Sequence, residues 1–171
     1  MEETIHDFLC KSCQRSVKRS QAGIARRNKK FRPLFEALRG GILNVSFYAR
    51  KRSQERRIPI DLNKINRDSE LIEVQSGMCE LERKFIVRTV IDEKIIHFVI
   101  LVVAENNGFT TKIINVYNPL EGMSFKWDQE GRERVYFNSL RKCCVHPNDD
   151  KSNFNKRHHG IRHKHYSYQN K

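Results

Sequence analysis

No stretch of the sequence is apolar for anything near the ~20 residues that a bilayer-spanning helix needs. The longest such run, Ile95 to Ala104, is interrupted by His97 and bounded by turn residues, so it reads as a buried strand and no membrane span is expected. The first residues carry Glu2, Glu3 and Asp7 and hold no apolar segment of signal-peptide length, which predicts a cytoplasmic protein. Cysteines number only five, at positions 10, 13, 79, 143 and 144. An odd, scattered set is not the framework of a secreted, disulfide-stapled domain, and reduced thiols are expected. No segment repeats. Acids are scarce in one region above all: between Lys11 and Arg57, only Glu36 and Glu55 stand against 15 Lys or Arg.

That region carries the whole formal excess of +13, because the other 18 basic residues are matched by 18 acidic ones. A block of 47 residues with this balance gains binding free energy by neutralising phosphates and releasing their condensed cations. The expected partner is RNA or another nucleic acid. Lys18, Arg19, Arg26, Arg27, Lys29, Lys30, Arg50, Lys51 and Arg57 are its candidate contacts, together with Lys112 on a later strand. The plainer alternative is a solvated basic tail.

The chain divides into a basic N-terminal region (1–44), a core (45–120), a short ordered extension packing on the core (121–145) and a polar tail (146–171). Residues 11–30 are expected to stay flexible until bound, with a short helix from Arg32 to Arg39 that admits Pro33 in its first turn and ends at Gly40 and Gly41. Ser46 is a suitable cap for a helix from Phe47 to Arg56. Ile58, Leu62 and Ile65 mark a second short helix. Leu71–Ser76, Lys84–Ile91, Ile95–Ala104 and Phe109–Tyr117 read as strands separated by turn residues. The predicted fold class is α+β, with helices packed on a four-stranded antiparallel meander.

Tyr48, Arg52 and Arg56 recur at i, i+4 and i+8 and so line one helix face, suited to holding adjacent phosphates. Arg88 falls mid-strand, on the face of Ile86 and Val90, where burial requires a concave site or a carboxylate partner. Asn115 and Tyr117 share a strand face, predicted to include Thr111 and Ile113 as well. An Arg, an Asn and a Tyr converging on one sheet face would suit phosphodiester cleavage, with Arg stabilising the charged transition state and the others orienting a 2′-hydroxyl. His97 reads as a core or cross-strand histidine.

Residues 46–119 resemble a bacterial domain of unknown function in the small ribonuclease-toxin fold group that includes barnase, EndoU, colicin nucleases and RelE-like toxins. The family opens on His-Ala-x-x-Arg-Met-x-x-Arg-x-Ile, matched here by Tyr48-Ala49-Arg50-Lys51-Arg52-Ser53-Gln54-Glu55-Arg56-Arg57-Ile58. An aliphatic strand with an Arg follows, here Phe85-Ile86-Val87-Arg88. The closing Thr-Val-Tyr-x-Pro stands as Asn115-Val116-Tyr117-Asn118-Pro119. The resemblance implies a metal-independent, toxin-like endoribonuclease whose catalytic set is Tyr48, Arg52, Arg56, Arg88, Asn115 and Tyr117, neutralised in its own cell by an antitoxin or inhibitor protein. Tyr48 replaces the family His, and a phenol with a pKa of about 10 is a poor base at neutral pH. The alternative is therefore a non-enzymatic nucleic-acid-binding regulator on a degenerate scaffold of this type.

Cys10 and Cys13 form one Cys-x-x-Cys. A structural zinc site would need a second pair, for which Cys143, Cys144 and His146 are the candidates. Adjacent cysteines chelate awkwardly, so no cofactor is expected. The tail, with His158, His159, His163, His165, Tyr166 and Tyr168, reads as a disordered basic arm whose charge follows pH.

Overall fold

Strong period-two alternation builds the centre of the molecule, and a computed structural model describes it for residues 9–42, 44–121 and 126–137. In chain order the elements are α1 (Lys11–Arg39), β1 (Asn44–Val45), α2 (Phe47–Arg56), α3 (Leu62–Asp68), β2 (Glu70–Ser76), β3 (Glu82–Ile91), β4 (Lys94–Glu105) and β5 (Gly108–Tyr117). They form one sheet in the order β1-β5-β4-β3-β2. The α+β class holds. The expected four-stranded antiparallel meander does not, because β1 adds a fifth strand parallel to β5 and makes the sheet mixed. Two residues are too few for alternation to register in a sequence. No helix among the described residues is long and apolar enough to cross a membrane.

One face of the sheet carries the main core. Phe85, Val87 and Ile91 of β3, Ile96, Phe98 and Ile100 of β4, and Ile113 and Val116 of β5 pack against Phe35, Ala49, Ile58 and Ile65 from the helices. Each such large side chain, once buried, contributes about 1.5–3 kcal/mol. A two-residue turn joins β3 to β4 with both Asp92 (φ 48°) and Glu93 (φ 63°) left-handed, which matches the twist of the flanking strands. Ser46 caps α2, accepting a bond from the Ala49 amide at 3.0 Å. Arg57, left-handed at φ 52°, ends it, and the Ile58 amide reaches back to the Ser53 carbonyl at 2.9 Å.

α1 departs most from expectation. Residues 11–30 are helical and continuous with the predicted short helix, and Pro33 lies inside that helix rather than in its first turn. Two seven-residue tracks explain this. Val17, Ile24, Phe31 and Leu38 form one, and Phe31 packs beside Phe85. Gln14, Gln21, Asn28 and Phe35 form the other, and its three amides bond to backbone: Gln14 to the Leu9 carbonyl, Gln21 to that of Arg134, Asn28 to that of Ile72. Asn28 also accepts from the Val74 amide, at 2.9 Å, so one side chain pairs the outer edge of β2 much as a strand would. α1 thus runs past that edge. Its second half lies on the main core through Phe35, and its first half meets Tyr136 through Cys13 and Val17.

Residues 126–137 cover the other face. Trp127 packs with Ile72 and Ile86, and the chain turns tightly at Gly131 (φ 63°), whose amide bonds to the Asp128 carbonyl at 3.0 Å. These residues fall within the extension expected over 121–145, of which 122–125 and 138–145 lie outside the described residues. Residues 138–171, with Cys143, Cys144 and the His-rich tail, lie outside the described residues.

Candidate nucleic-acid interface and cleft

A single row of polar residues crosses the second face. Glu70 stands opposite Arg88, Arg88 opposite His97, and His97 opposite Tyr117, on four successive strands. A neighbouring row runs Glu73, Ile86, Val99, Asn115. Arg88, Asn115 and Tyr117 therefore do share one sheet face. Thr111 and Ile113 do not join them: register shifts by one residue between Ile113 and Asn115, which turns Ile113 into the main core.

The extension divides this face. The Glu130 carbonyl accepts from Arg88 Nε at 2.7 Å, and the Glu70 and Glu130 carboxylates lie 3.9 and 3.7 Å from the same guanidinium. Its side chain is 11% exposed. Arg88 thus takes the carboxylate-paired role, and it is absent from the cleft described next. His97 is buried, its Nε2 against the Gly131 carbonyl at 2.7 Å and its Nδ1 3.3 Å from the Tyr117 hydroxyl. With the proton on Nε2, the Tyr117 hydroxyl donates to Nδ1. Burial pushes the His97 pKa down to about 4, against the Gly131 hydrogen bond and reinforced by the charges of Arg88 and Arg134. Burial likewise pushes Tyr117 up to about 12. Neither ring is poised to exchange a proton near neutral pH.

Beside the row opens a cleft of about 560 Å³. Arg56, Asn115 and Tyr117 line it, so half of the predicted catalytic set converges. Asn118, Glu121, Lys126, Trp127 and Arg134 complete its polar and aromatic wall. Arg56 donates to the Val116 carbonyl, which anchors the end of α2 on β5. Arg134 forms an ion pair with the buried Glu73 at 2.8 Å, off the line of an ideal hydrogen bond, and stacks 4.9 Å from the Trp127 ring. Arg56, Lys126 and Arg134 against Glu121 and the Glu73 that pairs with Arg134 leave the cleft a net positive balance suited to an anion. Lys126, Trp127 and Arg134 are not sequence candidates. Their signal in the sequence is a Lys-Trp pair followed by an acidic stretch and then Arg134, in a segment with no regular period.

Tyr48 and Arg52 lie apart from the cleft on the outer side of α2, where Arg52 Nε donates to the Tyr48 hydroxyl at 2.8 Å and Nη1 reaches Glu55 at 2.8 Å. Arg50, Lys51 and Arg57 are exposed, with Lys51 3.9 Å from Glu55, and Lys112 is exposed on β5. On α1, at about 100° per residue, Lys11, Arg15, Lys18, Arg19, Arg26, Lys29, Lys30 and Arg32 fall within roughly 160° of arc, opposite Val17 and Phe35. All eight are exposed, and none is ion-paired with another described residue. Arg27 sits aside from this stripe and donates to the Val74 carbonyl at 2.9 Å. Cys10 and Cys13 stand at the start of α1 and are not joined in a disulfide, and no cluster of metal-ligating residues occurs among the described residues. No protein-family model, curated protein or solved structure matches the chain.

Proposed function

We propose that this chain binds nucleic acid, RNA foremost, by laying the phosphate backbone along the basic stripe of α1 and the exposed cations of α2. The observation that carries the reading is the set of eight exposed, unpaired cations on one side of α1. Like charges at i, i+4 destabilise a helix by about 0.2–0.5 kcal/mol per pair. Here Lys11 faces Arg15, Arg15 faces Arg19 and Arg26 faces Lys30 without relief from acids. A polyanion removes that repulsion. The stripe runs roughly 32 Å at about 1.5 Å per residue.

Cleavage is the second reading, favoured by the convergence of Arg56, Asn115 and Tyr117 in one cleft. It would follow the ribonuclease-like resemblance of residues 46–119 and imply a neutralising partner protein. Against it stand the engagement of Arg88 with carboxylates and the burial of His97 and Tyr117, which leave Glu121, already bonded by the Asn118 amide, as the cleft's candidate base. Binding is therefore the reading we put first, with cleavage left to the test. Purified protein incubated with end-labelled RNA should give a retarded band and intact RNA, with affinity falling steeply between ~50 and ~200 mM salt. Discrete products that vanish in Arg56→Ala would make it an enzyme, and no retardation of RNA or DNA at low salt would end the reading.

A further inference from the structure

We propose that Phe47 and Tyr48 form a stacking platform for unpaired bases, so that the nucleic acid held at α2 is single-stranded. The proposal rests on the nucleic-acid reading above and adds the class of ligand. Phe47 is 84% exposed and Tyr48 48% exposed, consecutive residues on the first turn of α2. Neither belongs to a hydrophobic cluster of the fold.

The backbone beneath them is fixed. Ser46 caps the helix through the Ala49 amide, the Ser46 amide donates to the Ile113 carbonyl at 2.9 Å, and Ala49 is fully buried. Tyr48 is held further. The Arg52 guanidinium lies 5.0 Å from its ring centroid, bonds its hydroxyl, and is itself braced by Glu55. One side of the Tyr48 ring therefore carries a cation, which leaves a preorganised aromatic surface. Phe47 and Lys51 are one helical turn apart in sequence, as are Tyr48 and Arg52, and the second pair is in contact.

Ring faces are of little use against a duplex, whose bases already stack on each other and whose A-form grooves are read by shape and phosphate contacts. They suit unpaired bases, each of which brings a π-face of its own. Charge and direction agree with this ligand. From Tyr48, Arg52 and Arg56 follow at successive turns over roughly 12 Å of helix, and Arg56 lines the cationic cleft. A strand stacked on the platform would be led by these guanidinium groups toward Lys126 and Arg134.

The test compares the full chain with a 12-nucleotide oligouridine and with a 12-base-pair RNA duplex, by fluorescence anisotropy at fixed salt. The joint variant Phe47→Ala/Tyr48→Ala should lose about tenfold or more in affinity for the oligouridine and stay within about twofold for the duplex. Phe47→Trp should retain oligouridine binding and show emission quenched on titration. Charge reversal at Lys18, Arg26 and Lys29 should weaken both ligands. Equal loss on both ligands in the Ala pair, no loss on the oligouridine, or unquenched emission in Phe47→Trp would overturn the platform while leaving the nucleic-acid reading intact. Binding of neither ligand by the unaltered chain would overturn both.

Discussion

His97 Nε2 lies 2.7 Å from the Gly131 carbonyl, a bond that joins the centre of the sheet to the segment covering it. Because burial holds the folded pKa near 4, below the unfolded value of about 6.5, the unfolded chain takes up the proton first. The neutral ring's contribution is fully present above about pH 6.5 and is lost as pH falls from there through about 4. The predicted loss is roughly 3 kcal/mol, at about 1.4 kcal/mol per pH unit. Urea unfolding at pH 7.5, 5.5 and 4.5 should show this slope, and His97→Gln should flatten it.

Gly131→Ala is expected to loosen the same junction. At φ 63° an added Cβ would lie 2.9 Å from Ile95 Cγ2 and 3.1 Å from Pro119 Cγ, neither of which is the end of a flexible polar chain. The strained conformation and the clash together should cost about 2–3 kcal/mol. A lowered urea midpoint checks it, with faster hydrogen exchange at the amides of residues 128–136.

The Arg134–Glu73 pair predicts an asymmetric pair of variants. Arg134→Ala leaves a carboxylate, 5% exposed at its side chain, with only the Gln75 amide bonded to it among the described residues. Breaking a buried pair from one side costs about 3–5 kcal/mol. Adding Glu73→Gln to it should recover a good part of that loss, and a double-mutant cycle on unfolding midpoints measures the coupling.

Arg88 and Arg56 should separate stability from binding. Arg88→Ala should lower stability by about 1–2 kcal/mol, since its carboxylate partners are half exposed, and leave RNA affinity within about twofold. Arg56→Ala should instead weaken RNA binding and reduce the slope of log affinity against log salt by about 0.7 for a single strand. Equal effects of the two variants on RNA would restore Arg88 to the site.

Much of this architecture is legible in the residues. Ser46 as a cap, the helix from Phe47 to Arg56, Ile65 as a core contact, and β3, β4 and β5 all follow from alternation and turn chemistry. His97 as a buried cross-strand residue follows from its apolar neighbours. What escapes has a physical reason in each case. α1 buries a narrow stripe whose members include Gln14, Gln21 and Asn28, so its period is hidden among polar letters. Asn44–Val45 is too short to show one. Three of the ten residues lining the cleft, Lys126, Trp127 and Arg134, come from an irregular segment that meets the sheet only once the sheet exists. The stagger at Asn115 depends on a bulge, and no periodic rule announces a skipped residue.

Covering the second face with residues so late in the chain has an outcome for synthesis. Until residue 137 has been made, Cys13 and Val17 have no Tyr136 to meet, and the row from Glu70 to Tyr117 lies open to water. A nascent or truncated chain in that state would carry a histidine titrating in the ordinary range and an Arg88 free of Glu130. Proton uptake read at the His97 ring itself, apart from His6 and the other histidines, would report whether the last layer had closed.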